Sequence, residues 1–326
     1  MPRVVCDGTA LELRAGEPLL AALLRAGVPV ANSCRAGACQ SCLIQVVSGQ
    51  APEAAQVGIK PTLRAQGFML ACLAQVREDL EITVRAAELL SVPATISRID
   101  GLGANTLRVI VVPSAPFPHR AGQYLTLVRA DGLARTYSIA SLPETDAGPI
   151  ELHVRIQPRG QMSRWLASAE AIGAAVQLRG PNGNCFYVEG NAAQPLVLAG
   201  SGTGLAPLLG VLRHALRSGH HGPIRLWHGA RTRDGHYYVD ELRRLEARHP
   251  TLDYRQVVLV GPPEPGGAVG RLDDAVSADG PFAGRRVFLC GDPELVQSMK
   301  RRVFLAGASL LDIHTDAFVM APAPAP

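Results

Sequence analysis

Three observations predict a multidomain chain that runs from α+β to α/β architecture. Short extended segments and one helix fill the first part, up to about residue 90. Six strand-like runs separated by Gly and Pro follow, and strand then alternates with helix as far as residue 320. The implied division is 1–90, a small α+β unit; 93–189, an antiparallel β-barrel; 192–320, a parallel-sheet α/β unit; and 321–326, a disordered Ala-Pro tail. The chain of 326 residues is 47 % hydrophobic and 18 % charged, which excludes a disordered protein. A net charge of +4, from 32 basic and 28 acidic residues, is too weak to argue for nucleic acid or a membrane surface.

Each element follows from local pattern. Arg3–Cys6 and Leu11–Arg14 read as extended. Pro18 opens an apolar helical run, Leu19, Leu20, Leu23 and Leu24, that Gly27 ends. Residues 31–42 are small, polar and Cys-rich and read as a loop, between that helix and the strand Leu43–Val47; Leu80–Val84 alternates as another strand. Ser91–Pro93 reads as a linker. The barrel strands are Ala94–Ile99, Thr106–Val112, Tyr124–Val128, Arg135–Ala140, Glu151–Ile156 and Val176–Leu178, with a helix at Met162–Ser168. In the last unit Pro195–Ala199, Ile224–His228, Tyr254–Val260 and Arg286–Leu289 are strands. Helices begin at Leu205 and cover Val239–Arg248 and Pro293–Ala306. The uncharged stretch Gly190–Leu212 is long enough to span a bilayer, but its Gly and Pro content fits a buried strand, a glycine turn and a helix better. With no apolar signal core near the N-terminus, the location expected is cytoplasmic.

Seven cysteines are an odd number in a long chain, which argues against a disulfide scaffold. Four of them read Cys34-x4-Cys39-x2-Cys42 with a remote Cys72, the spacing of a plant-type [2Fe–2S] site. Three thiolates on one tight loop wrap a small cluster and the fourth closes it. Gly37 and the small residues Ala36, Ala38 and Ser41 let backbone N–H groups approach the sulfurs. The competing readings are zinc, which would want a second Cys-x2-Cys knuckle, and plain buried cysteine. The string Cys34-Arg-Ala-Gly-Ala-Cys39-Gln-Ser-Cys42 resembles the loop of the β-grasp-like ferredoxin domain of oxygenase reductases, except that Gln40 stands where Gly is common.

Arg135-Thr-Tyr137-Ser138 offers a cation, an aromatic face and a hydroxyl at the start of a strand. Alone it is an ordinary strand. Gly160-Gln161-Met162-Ser163 opens a helix, whose N-terminus is an anion site, although Ser163 can equally be a plain cap. Together the two strings resemble the FAD-binding barrel of the ferredoxin–NADP reductase superfamily. That resemblance implies Arg135 and the Gly160–Ser163 turn at the flavin pyrophosphate, Tyr137 against the isoalloxazine and Ser138 near N5, with His153 and Arg155 lining the same cleft.

Gly200-Ser-Gly202-Thr203-Gly204-Leu-Ala-Pro207 follows a buried strand and precedes a helix, so its N–H groups can approach a pyrophosphate; the third glycine of the usual dinucleotide fingerprint is missing. The string resembles the NAD(P) loop of the same superfamily, and Cys290-Gly291-Asp292-Pro293 resembles its second loop. The resemblance implies Cys290 and Gly291 near the reacting carbon of nicotinamide, Asp292 beside them, and Phe318, in Asp316-Ala-Phe318, over the flavin face. Without the Gly200 loop Cys290 reads as a buried small residue ending a strand, and with it as a nicotinamide contact; on burial grounds Phe318 reads equally as a core aromatic. Arg231 and Arg233 can meet a 2′-phosphate and Asp234 a ribose hydroxyl. The string resembles the NADH-using reductases, with NADPH the alternative.

The implied activity is an NAD(P)H-dependent flavin iron–sulfur oxidoreductase. Electrons would pass from NADH through FAD to the [2Fe–2S] cluster and on to an oxygenase hydroxylase component or another one-electron acceptor protein, with no nucleic acid or membrane partner and the chain acting as a monomer. The alternatives are a reductase for a radical or deoxysugar dehydratase and a non-enzymatic iron–sulfur redox sensor, the latter needing no nicotinamide loop.

Overall fold

A computed structural model describes residues 2–87, 89–144 and 147–320. The Ala-Pro tail lies outside the described residues. Three sheets succeed one another along the chain.

The first sheet holds β1 (Val4–Cys6), β2 (Thr9–Leu11), β3 (Leu43–Ser48), β4 (Phe68–Leu70) and β5 (Leu80–Thr83) in the order β2-β1-β5-β3-β4. β1 and β5 run parallel and the other pairs antiparallel. Helix α1 (Leu19–Arg25) crosses this sheet and buries Leu19, Leu20 and Leu23 against Ile44, Met69, Leu70 and Ile82. Pro18 precedes it in extended geometry, and Gly27, at φ 74°, turns the chain beyond its end. The N–H groups of Leu19 and Leu20, orphaned at the helix start, donate to Ala74 O and Ala71 O. These carbonyls flank Cys72, so the helix fixes the remote cysteine. The short helix α2 (Pro61–Ala65) and β4 have no counterpart among the sequence expectations, and β2 replaces the strand expected at Leu11–Arg14.

The second sheet is antiparallel throughout: β6 (Ser91–Gly103), β7 (Thr106–Pro113), β8 (Tyr124–Val128), β9 (Ala134–Ser138), β10 (Ile150–Arg155) and β11 (Ala175–Asn182), ordered β10-β7-β6-β11-β8-β9. Its two edge strands meet at the bridge Ile139↔Leu152, which closes the sheet around Ile96, Val109, Leu125, Leu127 and Leu178. Helix α3 (Gln161–Leu166) packs Met162 and Leu166 into this core. Ser91–Pro93 is not a linker. It is the first part of β6, with Pro93 opposite Gln177. Pro93 precedes the stretch of β6 that pairs β7, so its missing N–H falls where only one neighbour is bonded, and its carbonyl accepts from Ser114 N and Oγ.

The third sheet is wholly parallel. Its members are β12 (Leu196–Ser201), β13 (Ile224–Ala230), β14 (Leu252–Val258), β15 (Ala268–Val269), β16 (Arg286–Gly291) and β17 (Ile313–Ala317), in the order β15-β14-β13-β12-β16-β17. Helices α4 (Leu205–Arg217) and α5 (Val239–Arg248) bury one face, and α6 (Leu272–Ser277) and α7 (Pro293–Leu305) the other. The strand order reverses between β12 and β16, the place where such sheets bind ligands at their carboxyl ends. Gly190–Leu212 resolves into β12, a glycine turn and the start of α4. No helix among the described residues is long and apolar enough to cross a membrane.

The barrel and the parallel sheet are tightly joined. A Cβ on Gly210 of α4 would lie 2.7 Å from Gly122 N and 2.9 Å from Ile139 O, so only glycine lets the helix seat there. Arg213 donates to Ala140 O (3.0 Å) and to Tyr238 Oη (2.7 Å) beside that contact.

Candidate functional site

One cleft of about 1710 Å³ runs between the three units. Its walls include Cys34 and Cys39 from the first, Arg135, Tyr137, Ser138, Arg155, Gly160, Met162 and Ser163 from the barrel, and Gly202, Thr203, Arg231, Gly291, Asp292 and Phe318 from the third.

The four cysteines of the first unit are all buried. Among the described residues no three His, Cys, Asp or Glu side chains gather as a single ion would need. The thiols come as two pairs, Cys34 with Cys39 and Cys42 with Cys72. Within each pair the hydrogen bond from its partner holds one thiol down, Cys39 to about 5 and Cys72 to about 7. Backbone N–H groups of Ala36 and Cys39 point at Cys34 Sγ (3.4 and 3.3 Å), and that of Cys34 at Cys39 Sγ (3.4 Å). Two thiol pairs with amide donors aimed at the sulfurs suit a two-iron cluster, two ligands to each iron. The loop turns through positive φ at Arg35 (53°), Gly37 (79°) and Gln40 (56°). Gln40 thus takes the backbone shape glycine prefers, and its Nε2 donates to Gly58 O at 2.8 Å. Cys34 and Cys39 line the cleft, whereas Cys42 and Cys72 do not.

In the barrel wall Arg135 is half-buried and donates to Ala134 O (2.7 Å), with Tyr137 two residues along β9. Ser138, 6 % exposed, donates from Oγ to Asp316 Oδ2 at 2.7 Å. Burial pushes the Asp316 carboxyl up to about 6 in spite of that hydrogen bond. The cleft therefore holds an acid that the sequence reading placed only on a closing strand. Gly160 is closely packed, since a Cβ there would sit 2.5 Å from Ser163 Oγ and 2.8 Å from Gln157 Cβ. Ser163 accepts from Gln157 N and donates to Gly160 O, so it clasps the turn before α3. Gln161 faces a separate shallow pocket beside Arg164 and Trp165. His153 lines the cleft, but both its ring nitrogens are engaged. Nε2–H donates to Glu151 (2.8 Å), which leaves Nδ1 to accept from Tyr237 Oη (2.9 Å). Burial keeps this ring neutral, and it joins the barrel to the parallel sheet.

At the sheet's carboxyl end Gly202, at φ 52°, opens onto free space in the cleft. Gly200 and Gly204 are packed, and Pro207 is buried in α4, so these three shape the loop from behind. A Cβ on Gly204 would meet Cys290 O at 2.5 Å, and one on Gly291 would meet Ser201 Oγ at 2.7 Å. The two loops interlock through these glycines. Cys290 is fully buried beneath them with its Sγ 3.3 Å from Cys185 Sγ, and burial pushes its thiol up. Asp292 caps α7, accepting from Glu294 N (3.0 Å) and Leu295 N (3.1 Å). Phe318 N donates to Gly291 O (2.8 Å), which ties the segment after β17 to the second loop. Arg231 and Asp234 line the cleft. Arg233 does not, being ion-paired with Glu264.

The chain matches three domain families: a 2Fe-2S iron-sulfur cluster binding domain over 4–77, an oxidoreductase FAD-binding domain over 110–187 and an oxidoreductase NAD-binding domain over 198–301. It is 33 % identical to the ferredoxin–NAD(P)+ reductase component of the naphthalene 1,2-dioxygenase/salicylate 5-hydroxylase systems of Ralstonia sp., over 94 % of this chain and 95 % of that one. It is also 33 % identical to the reductase subunit of an aromatic O-demethylase of Amycolatopsis sp., over 98 % of each. Among solved structures, the Amycolatopsis cytochrome P450 reductase GcoB superposes with a TM-score of 0.70 at 31 % identity, over 99 % of this chain and 100 % of that one. The chain therefore belongs to the family of ferredoxin–NAD(P)+ reductase components of oxygenase systems, oxidoreductases with [2Fe–2S], FAD and NAD domains.

Proposed function

We propose that this chain, acting as a monomer in the cytoplasm, takes electrons from NADH and delivers them singly to the hydroxylase component of an oxygenase. The observation that carries this reading is the single cleft. It touches the Cys34–Cys39 pair, the Arg135–Ser138 wall and the Gly202 and Gly291 loops without a break. FAD bound there supplies the change from hydride chemistry to one-electron steps.

The residues divide the work by position. Arg135, Arg155 and the Gly160 turn hold the flavin phosphates, and Tyr137 covers the ring. Ser138, oriented by Asp316, offers its hydroxyl at the reacting edge. Gly202, Thr203 and Gly291 receive the dinucleotide, and Phe318 shields the flavin face until nicotinamide arrives. Cys290 and Met162 support the floor from within the cores. Cys34, Cys39, Cys42 and Cys72 hold the cluster. Use of NADH is supported by Arg233 being turned from the cleft onto Glu264, while Asp234 faces it.

Anaerobic mixing of the holoprotein with each nicotinamide tests this reading. NADH is expected to bleach the flavin faster than NADPH, followed by reduction of an added one-electron acceptor. Absence of bleaching by either would overturn it.

A further inference from the structure

The barrel reaches across to the cluster loop with two side chains. Tyr124, at the start of β8, donates from Oη to Ala38 O at 2.9 Å. Arg179, on the neighbouring β11, donates from a terminal nitrogen to Ser41 O at 3.3 Å, while its Nε is held by Ser91 Oγ at 2.9 Å. Ala38 and Ser41 stand on either side of Cys39, and Ser41 Oγ lies 3.0 Å from Cys39 Sγ. Two donors from one sheet thus grip the backbone around a single ligand.

Tyr124 also faces the flavin wall. It lies opposite Ser138 in the β8–β9 register, and its ring lines the cleft with Cys34 and Cys39. Gly183 presses on the other side, since a Cβ there would lie 2.8 Å from the ring. The ring is therefore held between the flavin wall and the cluster loop, with its hydroxyl on the loop.

Beside these, one backbone bridge links Asn32 to Leu133, Lys60 Nζ lies 3.5 Å from Pro181 O, and Ala31 packs with Val128 and Ala134 in a small buried apolar cluster. Interfaces between units of one chain ordinarily permit relative motion unless they are large and apolar. One-electron transfer falls steeply with separation, so a contact that fixes this loop on the cleft fixes the distance that transfer must cross.

We propose that Tyr124 and Arg179 form a latch that holds the Cys39 edge of the cluster loop on the flavin cleft and so sets the rate of electron passage between the two centres. This rests on the route proposed above, and the test separates the two. Holoprotein carrying Y124F or R179Q is compared with wild type by anaerobic rapid mixing with NADH, following flavin bleaching and then cluster reduction. Arg179 does not line the cleft, so R179Q should bleach its flavin at the wild-type rate. Each variant should show cluster reduction slowed relative to bleaching by roughly three- to tenfold, the rate equivalent of one lost hydrogen bond. Amide hydrogen exchange over residues 33–41 should rise in both, without NADH present. Unchanged cluster reduction in both variants overturns the latch, as does equal slowing of both steps. If wild type itself fails to reduce its cluster, the route is overturned, and unchanged exchange over 33–41 would then overturn the latch independently.

Discussion

Replacing Gly204 by Ala isolates one physical effect. Gly204 has φ −58° and ψ −15°, a backbone shape any residue adopts, so alanine brings no backbone strain. Elsewhere it would even gain about 0.5–1 kcal/mol through the stiffer unfolded chain. Here the new methyl would lie 2.5 Å from Cys290 O, 2.8 Å from Cys290 C and 3.1 Å from Gly291 Cα. All three are backbone atoms of a strand end, so none can rotate aside. The 200 and 290 loops must part by about 1 Å to restore ordinary contact. Overpacking of this kind costs about 1–3 kcal/mol, which offsets the gain and leaves a net loss of up to about 2.5 kcal/mol. The functional cost is larger, because a misplacement of about 1 Å can lower a rate roughly a hundredfold where two reactants must stack. The assay is flavin bleaching at varied NADH, with thermal melts of the same holoprotein. Gly101→Ala is the control: nothing lies within 4 Å of its Cβ and its φ is not positive. We expect Gly204→Ala to melt a few degrees lower and to bleach at least tenfold more slowly at saturating NADH. Equality with Gly101→Ala in both readouts would refute the interlock of the two loops.

Three further outcomes follow from the geometry. Cys72→Ala removes a thiol from the pair that excludes the cleft, so cluster absorbance and cytochrome reduction should vanish while NADH still bleaches the flavin; retained iron content would sink the ligand assignment. Burial raises Asp316 to about 6, so the folded chain binds that proton more tightly than the unfolded chain does. Stability therefore falls as pH rises from the unfolded value near 4 through about 6 and stays reduced above it, and Asp316→Asn should gain in thermal stability over wild type at pH 8 but not near pH 4. Glu264→Gln frees Arg233. Both partners of that pair are partly exposed, at 56 % and 29 %, so NADPH kcat/KM should rise only about two- to fivefold, measured against an unchanged NADH value.

The parts legible in the sequence are those whose chemistry is local. The first three cluster ligands sit within nine residues, and their spacing alone implies the loop that the structure shows. The glycine turn after β12 is local in its backbone, because Gly202 takes a positive φ there, whereas the missing Cβ of Gly204 answers to the distant Cys290. The alternating and helical runs of the third unit were readable for the same reason, each strand and helix burying its own pattern. Short elements with no room for a period, α2, β4, β15 and α6, were not.

What could not be read depends on how distant segments meet. Ser138 and Asp316 are 178 residues apart and share one hydrogen bond. His153 carries the residue type expected of a cofactor contact. Only the arrival of Tyr237 from the third unit shows its ring to be engaged on both sides. Asp292 follows the strand-end glycine as the family string implies, yet its carboxylate is taken by the first turn of α7, because an Asp before Pro293 is also a helix cap. Tyr124 reads as one apolar position of a barrel strand until the cluster loop is set against it. In each case the side-chain chemistry was visible and the partner was not. The partner is chosen by the docking of one unit on another, which no local pattern encodes, and so the residues joining the units carry the least readable part of the electron route.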